Sequence, residues 1–173
     1  MWFYFIGFLF VFLDFDIPLA YGGSLNAMPD FLGYALLLLA SRFWQYENEH
    51  FRRSRIATLV VFCVSPAEFV LSLTALTLPT PLKLVLSLLM TAGALYVSYE
   101  FAEGAKALEQ NQYKRLEADK LGSAWFILAA SSLLRIVAFY FPSVALTSEV
   151  LHLIAVIWFS TATYGFLKHL KRG

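Results

Sequence analysis

The stretch "FLDFDIPLAYGGSLNAMPDFLGY", residues 12–34, sets three carboxylates, Asp14, Asp16 and Asp30, among residues that are nearly all apolar. The whole chain shares that apolar character. Of 173 residues, 60% are hydrophobic and 14% charged, whereas a soluble domain is about 45–50% apolar and about 25% charged. Runs this apolar over this length indicate a polytopic membrane protein built of helices. Acids inside such runs therefore need a physical reason.

Six apolar segments follow from the pattern, over about residues 2–20, 29–46, 56–78, 82–101, 124–141 and 150–167, within a single domain covering residues 1–173. Each approaches the roughly 20 residues that cross about 30 Å of hydrocarbon. Helices are required, because the bilayer core satisfies no open backbone groups. The breaks "YGGSLNAMP", "LPTP" and "FPSVALTSE" are turn-rich. The expected fold is all-α: six transmembrane helices arranged as three hairpins. The N-terminal run lacks a basic n-region and a clear cleavage site, so it is expected to be a retained first span. Segment four is expected to continue as a polar helix into "EGAKALEQNQYKRLEADKLG".

Basic residues set the expected threading. Arg42, Arg52, Arg53 and Arg55 lie at or after the end of segment two, Lys106, Lys114, Arg115 and Lys120 separate segments four and five, and Lys168, Lys171 and Arg172 follow segment six. The positive-inside rule puts all of these loops and both termini in the cytoplasm. Lys83 falls on the other side, and Arg135 within a span. Trp44, Tyr46, Trp125 and Tyr140 fall where interfacial aromatic belts are expected.

A central Asp costs roughly 2.5–3.5 kcal/mol on insertion scales, and each Leu, Ile or Phe returns only about 0.3–0.6. Two Asp make the first segment marginal alone. At 1.5 Å per residue from the cytoplasmic ends, Asp14 lies roughly 20 Å deep, Glu68 about 18 Å and Arg135 about 16 Å. The economical arrangement turns Arg135 inward to meet Asp14, Glu68 or both. Such a group either fixes helix register or lines a polar cavity. Asp16 stands about 200° around a helix from Asp14, and Pro18 with Gly22 and Gly23 suggests fraying that leaves Asp16 near outer water. Asp30, just after Pro29, suits a helix N-terminus. The small residues of "TAGA" from Thr91 and "AASS" from Ala129 suit close packing of segments four and five.

Other chemistry is sparse. His152, close to Glu149, reads as a surface histidine, and the three histidines of the chain fall at different depths, which disfavours bis-histidine haem ligation. The lone Cys63 reads as a small buried apolar residue and precludes an internal disulfide. No P-loop, HExxH, GxSxG or metal-spaced His/Cys set occurs. No cofactor, metal or catalytic residue is expected, and a net charge of +1 gives nucleic acid no electrostatic attraction.

"MPDFLGY" at Met28–Tyr34, preceded by "FDIPL", resembles a motif of uncharacterised multi-pass membrane proteins of Gram-positive bacteria. That pattern is Asp-Ile, a short gap, then Leu-Pro-Asp-Phe-Ile-Gly-Tyr. Met28 stands here for its Leu and Leu32 for its Ile. The resemblance covers roughly 20 residues, implies a bacterial plasma membrane and brings no activity. It draws attention to Asp16, Asp30 and Gly33. Six helices with both ends inside also look like the substrate-binding subunits of vitamin transporters, by architecture alone.

The expected function is binding or transport of a small solute or ion through an outward-facing polar pocket among segments one, two, three and five. Asp14, Glu68 and Arg135 would form its floor and Asp16 and Asp30 its rim, with Gly33, Tyr34 and His152 as further candidates. The alternative is a non-catalytic subunit that scaffolds or regulates a membrane-protein partner. The lipid bilayer is the surrounding partner in either case.

Overall fold

The computed structural model describes residues 2–13, 16–18, 24–26, 28–73, 80–112 and 117–171. Among the described residues, six helices form: α1 (Trp2–Phe12), α2 (Asp30–Ser41), α3 (Glu49–Leu73), α4 (Thr80–Gln112), α5 (Ala118–Tyr140) and α6 (Ala145–Lys171). A single 3-10 turn, Pro142–Val144, joins α5 to α6. Each helix packs on its sequence neighbours, and α6 returns to α1, so the bundle closes into a ring. Among the described residues, four stretches are long and apolar enough to cross a membrane: Glu49–Leu71, Leu84–Asn111, Ala118–Ala138 and Ala145–Leu170. Their outward faces carry exposed Leu59, Val60, Leu89, Phe126, Leu133, Ile154 and Ile157. That distribution suits lipid as the surrounding solvent. Cys63 belongs to the same outward face and is exposed rather than buried.

The first two helices depart from expectation. α1 has 11 residues and α2 has 12, so each is roughly 16–18 Å long. Neither length crosses about 30 Å of hydrocarbon as a regular helix. The first helix was expected to reach residue 20 and stops at Phe12, just before the two Asp and Pro18. Burying those carboxylates in a continuing helix would cost more than its extra apolar residues return. The all-α expectation is also modified by two short strands, β1 (Asp16–Pro18) and β2 (Ser24–Asn26). They pair antiparallel, with Asp16 opposite Asn26 and Ile17 opposite Leu25.

α1 and α2 meet with backbones in close approach. A β-carbon added at Gly33 would lie 2.8 Å from the Gly7 carbonyl and 2.9 Å from Phe10 Cβ. One at Gly7 would meet Leu37 at 2.9 Å. Small residues thus let two short helices behave as one wedge. Gly93, expected to serve the α4–α5 contact, faces α3 instead, 2.7 Å from Val61 by the same measure.

The longer helices show how the sequence copes with lipid. Pro66 lies inside α3 and has no N–H to give the Phe62 carbonyl. The Ser65 hydroxyl donates to that carbonyl instead, at 3.2 Å. Asn48 caps the start of α3, accepting from the Phe51 N–H at 3.0 Å, while its amide donates to the Gly104 carbonyl of α4 at 2.8 Å. α4 continues to Gln112, as expected for a polar extension. Glu109 on that extension accepts from the Ala118 N–H at 2.7 Å and so caps α5.

Aromatic rings fill the end of the bundle that carries the basic residues. Phe101 stands amid Tyr4, Phe8, Phe51 and Phe166, with ring centroids 4.7–6.3 Å away. Phe8 also meets Phe159 edge-on at 5.1 Å. Offset and edge-to-face pairs of this kind add about 0.5–1.5 kcal/mol each beyond their burial.

Two glycines give opposite expectations. Gly33→Ala must push backbone and Cβ atoms apart and should cost about 1–3 kcal/mol. Gly165, in α6, has nothing within 4 Å of an added β-carbon, so Gly165→Ala should stabilise by about 0.4–1 kcal/mol. Equilibrium unfolding of both variants in mixed micelles checks the pair.

Candidate functional site

At the opposite end from the aromatic cluster the bundle is open. A cavity of about 410 Å³ lies there, lined by residues from all six helices. Its charged and titratable walls are Asp30 and Tyr34 from α2, Glu68 from α3, Arg135 from α5, and Glu149 and His152 from α6. Ser132 and Thr91 add hydroxyls, and Phe12, the last residue of α1, contributes to the wall. The cavity adjoins the C-terminal end of α1 and the N-terminal end of α2, beside the longer helices α3 to α6.

Local sequence aims these groups. Asp30 and Tyr34 are four apart on α2, and Ser131 and Arg135 four apart on α5. Residues at that spacing share a helix face. Glu149 and His152, three apart, do the same on α6. Asp30 opens its helix, where a carboxylate is favoured by the exposed N–H groups. Glu68 follows Pro66 by two residues, in the turn where the α3 ladder is interrupted. Phe31 and Phe69 meet edge-on at 5.3 Å and join α2 to α3 beside these acids.

Arg135 Nε donates to Glu149 Oε1 at 3.1 Å. The Glu149 side chain is 58% exposed. A pair this open contributes only about 0–1 kcal/mol of stability, so its chief effect is to orient the guanidinium at the cavity. Glu149 was not foreseen as its partner. Glu68 and Arg135, expected at one depth on separate helices, do line one space. Asp14, expected beside them, lies outside the described residues, as does the side chain of Asp16, whose backbone forms β1. Gly33 serves the α1–α2 contact. Tyr34 is buried with 1% exposure. The space is wider than expected, since α4 and α6 also contribute.

His152 is the main correction. It was read as a surface histidine, yet it is 4% exposed. Its Nε2 lies 3.0 Å from the Phe12 carbonyl oxygen and its Nδ1 lies 3.1 Å from Ser131 Oγ. A carbonyl only accepts, so Nε2 carries a proton and donates. The Phe12 carbonyl is one of those a helix C-terminus leaves without an intrahelical donor. His152 thus caps α1 from α6. No local pattern signals this contact, because its acceptor is a backbone atom 140 positions away.

A second polar group lies at the other end. Glu100 of α4 is 4% exposed. His50 Nδ1 donates to its Oε2 at 2.9 Å, and the Tyr96 hydroxyl also bonds to it. Exposed pairs of Glu49 with Arg52 and Arg53 and of Glu117 with Lys120, and a half-buried pair of Glu103 with Lys106, decorate the same end. Among the described residues, no group of three His, Cys, Asp or Glu is placed to hold a metal ion.

Fold and site together define a membrane-embedded helical protein with a charged cavity at one end. No family model, no curated protein and no solved structure matches the chain.

The Glu100 contact predicts a specific ordering. His50→Ala leaves a buried carboxylate short of a charge-assisted hydrogen bond and should cost about 1.5–3 kcal/mol. Adding Glu100→Gln should recover part of that loss, because the uncompensated charge is removed. A double-mutant cycle of denaturant midpoints at neutral pH measures it.

Proposed function

We propose that this is a multi-pass protein of a bacterial plasma membrane, with both termini in the cytoplasm, that binds or moves a small solute or ion through an outward-facing polar cavity. One observation carries the reading: Asp30, Glu68, Arg135, Glu149 and His152 converge on one space of about 410 Å³ inside an otherwise apolar bundle. Charged groups at membrane depth are expensive, and they mark solute or ion pathways by default. A register-fixing salt bridge needs no space beside it.

Sidedness rests on the basic residues. Arg42, Arg52, Arg53, Arg55, Lys106, Lys120 and Lys168 sit at the helix ends away from the cavity. The positive-inside rule puts those ends in the cytoplasm, so the cavity opens outward. The likeness of "MPDFLGY" to the Gram-positive membrane proteins supports the same location. Two residues of that motif, Asp30 and Tyr34, belong to the cavity wall. Arg135 gives the cavity a cationic point and the carboxylates an anionic side, which suits a small polar solute or a cation.

Two measurements test this. Thr91→Cys, in a chain whose single Cys63 is replaced by Ser, should react in intact cells with a membrane-impermeant maleimide. Reaction only after the cells are opened would contradict an outward mouth. A thermal-shift screen of small ions and solutes should yield at least one stabilising compound. Its effect should vanish in Glu68→Ala and in Arg135→Ala while both variants remain folded. Equal stabilisation of the variants would remove the cavity from the account and favour a scaffolding role.

A further inference from the structure

The hydrogen bonds around His152 carry more than a cap. Ser131 Oγ stands 3.1 Å from His152 Nδ1 and 2.9 Å from the Leu128 carbonyl. A hydroxyl has one proton to give and two lone pairs to receive with. When the imidazole is neutral, Nε2–H donates to the Phe12 carbonyl and the Ser131 hydroxyl donates to Nδ1. When the imidazole is protonated, Nδ1–H donates to Ser131 Oγ and the Ser131 hydroxyl turns to the Leu128 carbonyl. The Leu128 carbonyl also accepts from the Ser132 hydroxyl at 2.8 Å, so it keeps that donor in either state. One rotation of one hydroxyl therefore matches Ser131 to both charge states of the ring.

We infer that His152 is a proton-binding site in the cavity wall, switched between neutral and charged by the Ser131 hydroxyl. A histidine that served packing alone would require partners for a single tautomer. Here the buried ring gains a partner for its second N–H without any movement of heavy atoms. The described titratable groups lining the same cavity are Glu149 on its own helix, Arg135 on α5, Asp30 and Tyr34 on α2, and Glu68 on α3. The ring is 4% exposed, so its charged form needs the Ser131 acceptor and the opposite charges of the wall to offset burial. Protonation adds one positive charge to the wall, so the solute preference of the cavity becomes dependent on outer pH. That coupling rests on the function proposed above. The proton site itself does not.

The test needs no solute. Full-length protein with ¹⁵N-labelled histidine is placed in lipid nanodiscs, and its imidazole nitrogens are followed by NMR between pH 5 and 9. The His152 signals are those absent from His152→Gln. At high pH they should report a neutral ring protonated on Nε2, and on acidification a reversible change to the doubly protonated ring. Ser131→Ala removes the acceptor for the charged form and the donor for the neutral one. Hydrogen bonds to charged groups are the stronger, so the midpoint should fall by about one pH unit, a tenfold loss of proton affinity. Ser131→Thr keeps the hydroxyl and should titrate near the parent. A ring that holds one protonation state across this range overturns the inference. So does an unchanged midpoint in Ser131→Ala. Either failure leaves solute binding at Glu68 and Arg135 to be judged by its own measurements.

Discussion

A helix that stops early must have its last carbonyls satisfied, and in a bilayer that requirement is severe. The first helix ends at Phe12, and the imidazole of His152, brought from α6, meets the Phe12 carbonyl. Much else depends on that contact. It closes the ring between the first and last helices. α1 is only 11 residues long, and Glu68, Arg135 and Asp30 line the cavity beside its end.

The two ends of the bundle are consequently built on different physics. One is packed with rings centred on Phe101, and its charges pair at the surface or, as with Glu100 and His50, in a partly buried contact. The other holds polar side chains around a cavity of about 410 Å³. The four long helices supply the rigid frame, and the wedge of α1 and α2, joined at Gly7 and Gly33, sets the depth of the opening.

The sequence revealed much of this because depth in a membrane can be counted. Apolar run lengths and the positions of Lys and Arg were enough to align Glu68 with Arg135 on separate helices, and the structure brings both to one cavity. The two Asp and Pro18 were visible warnings that α1 would not continue smoothly, though its end at Phe12 came earlier than they suggested. Other features had no such signal. Burial follows residue type poorly when the outside is lipid, so Cys63 was expected inside and lies outside. His152 beside Glu149 has the local look of a surface pair, and its true neighbours are a serine on another helix and a backbone oxygen. Gly93 fits α3 rather than α5, because a small residue shows that something approaches closely but not what does.

The central claim is that water reaches a charged cavity formed where α1 ends, while the aromatic end stays dry. Water-edited solid-state NMR of the protein in lipid bilayers tests it most directly, by timing polarisation transfer from mobile water to assigned side chains. Arg135, Ser132 and His152 should gain signal rapidly, and Phe101, Phe159 and Phe166 slowly. Equally slow transfer to all six residues would mean a sealed, dry interior and would contradict the account.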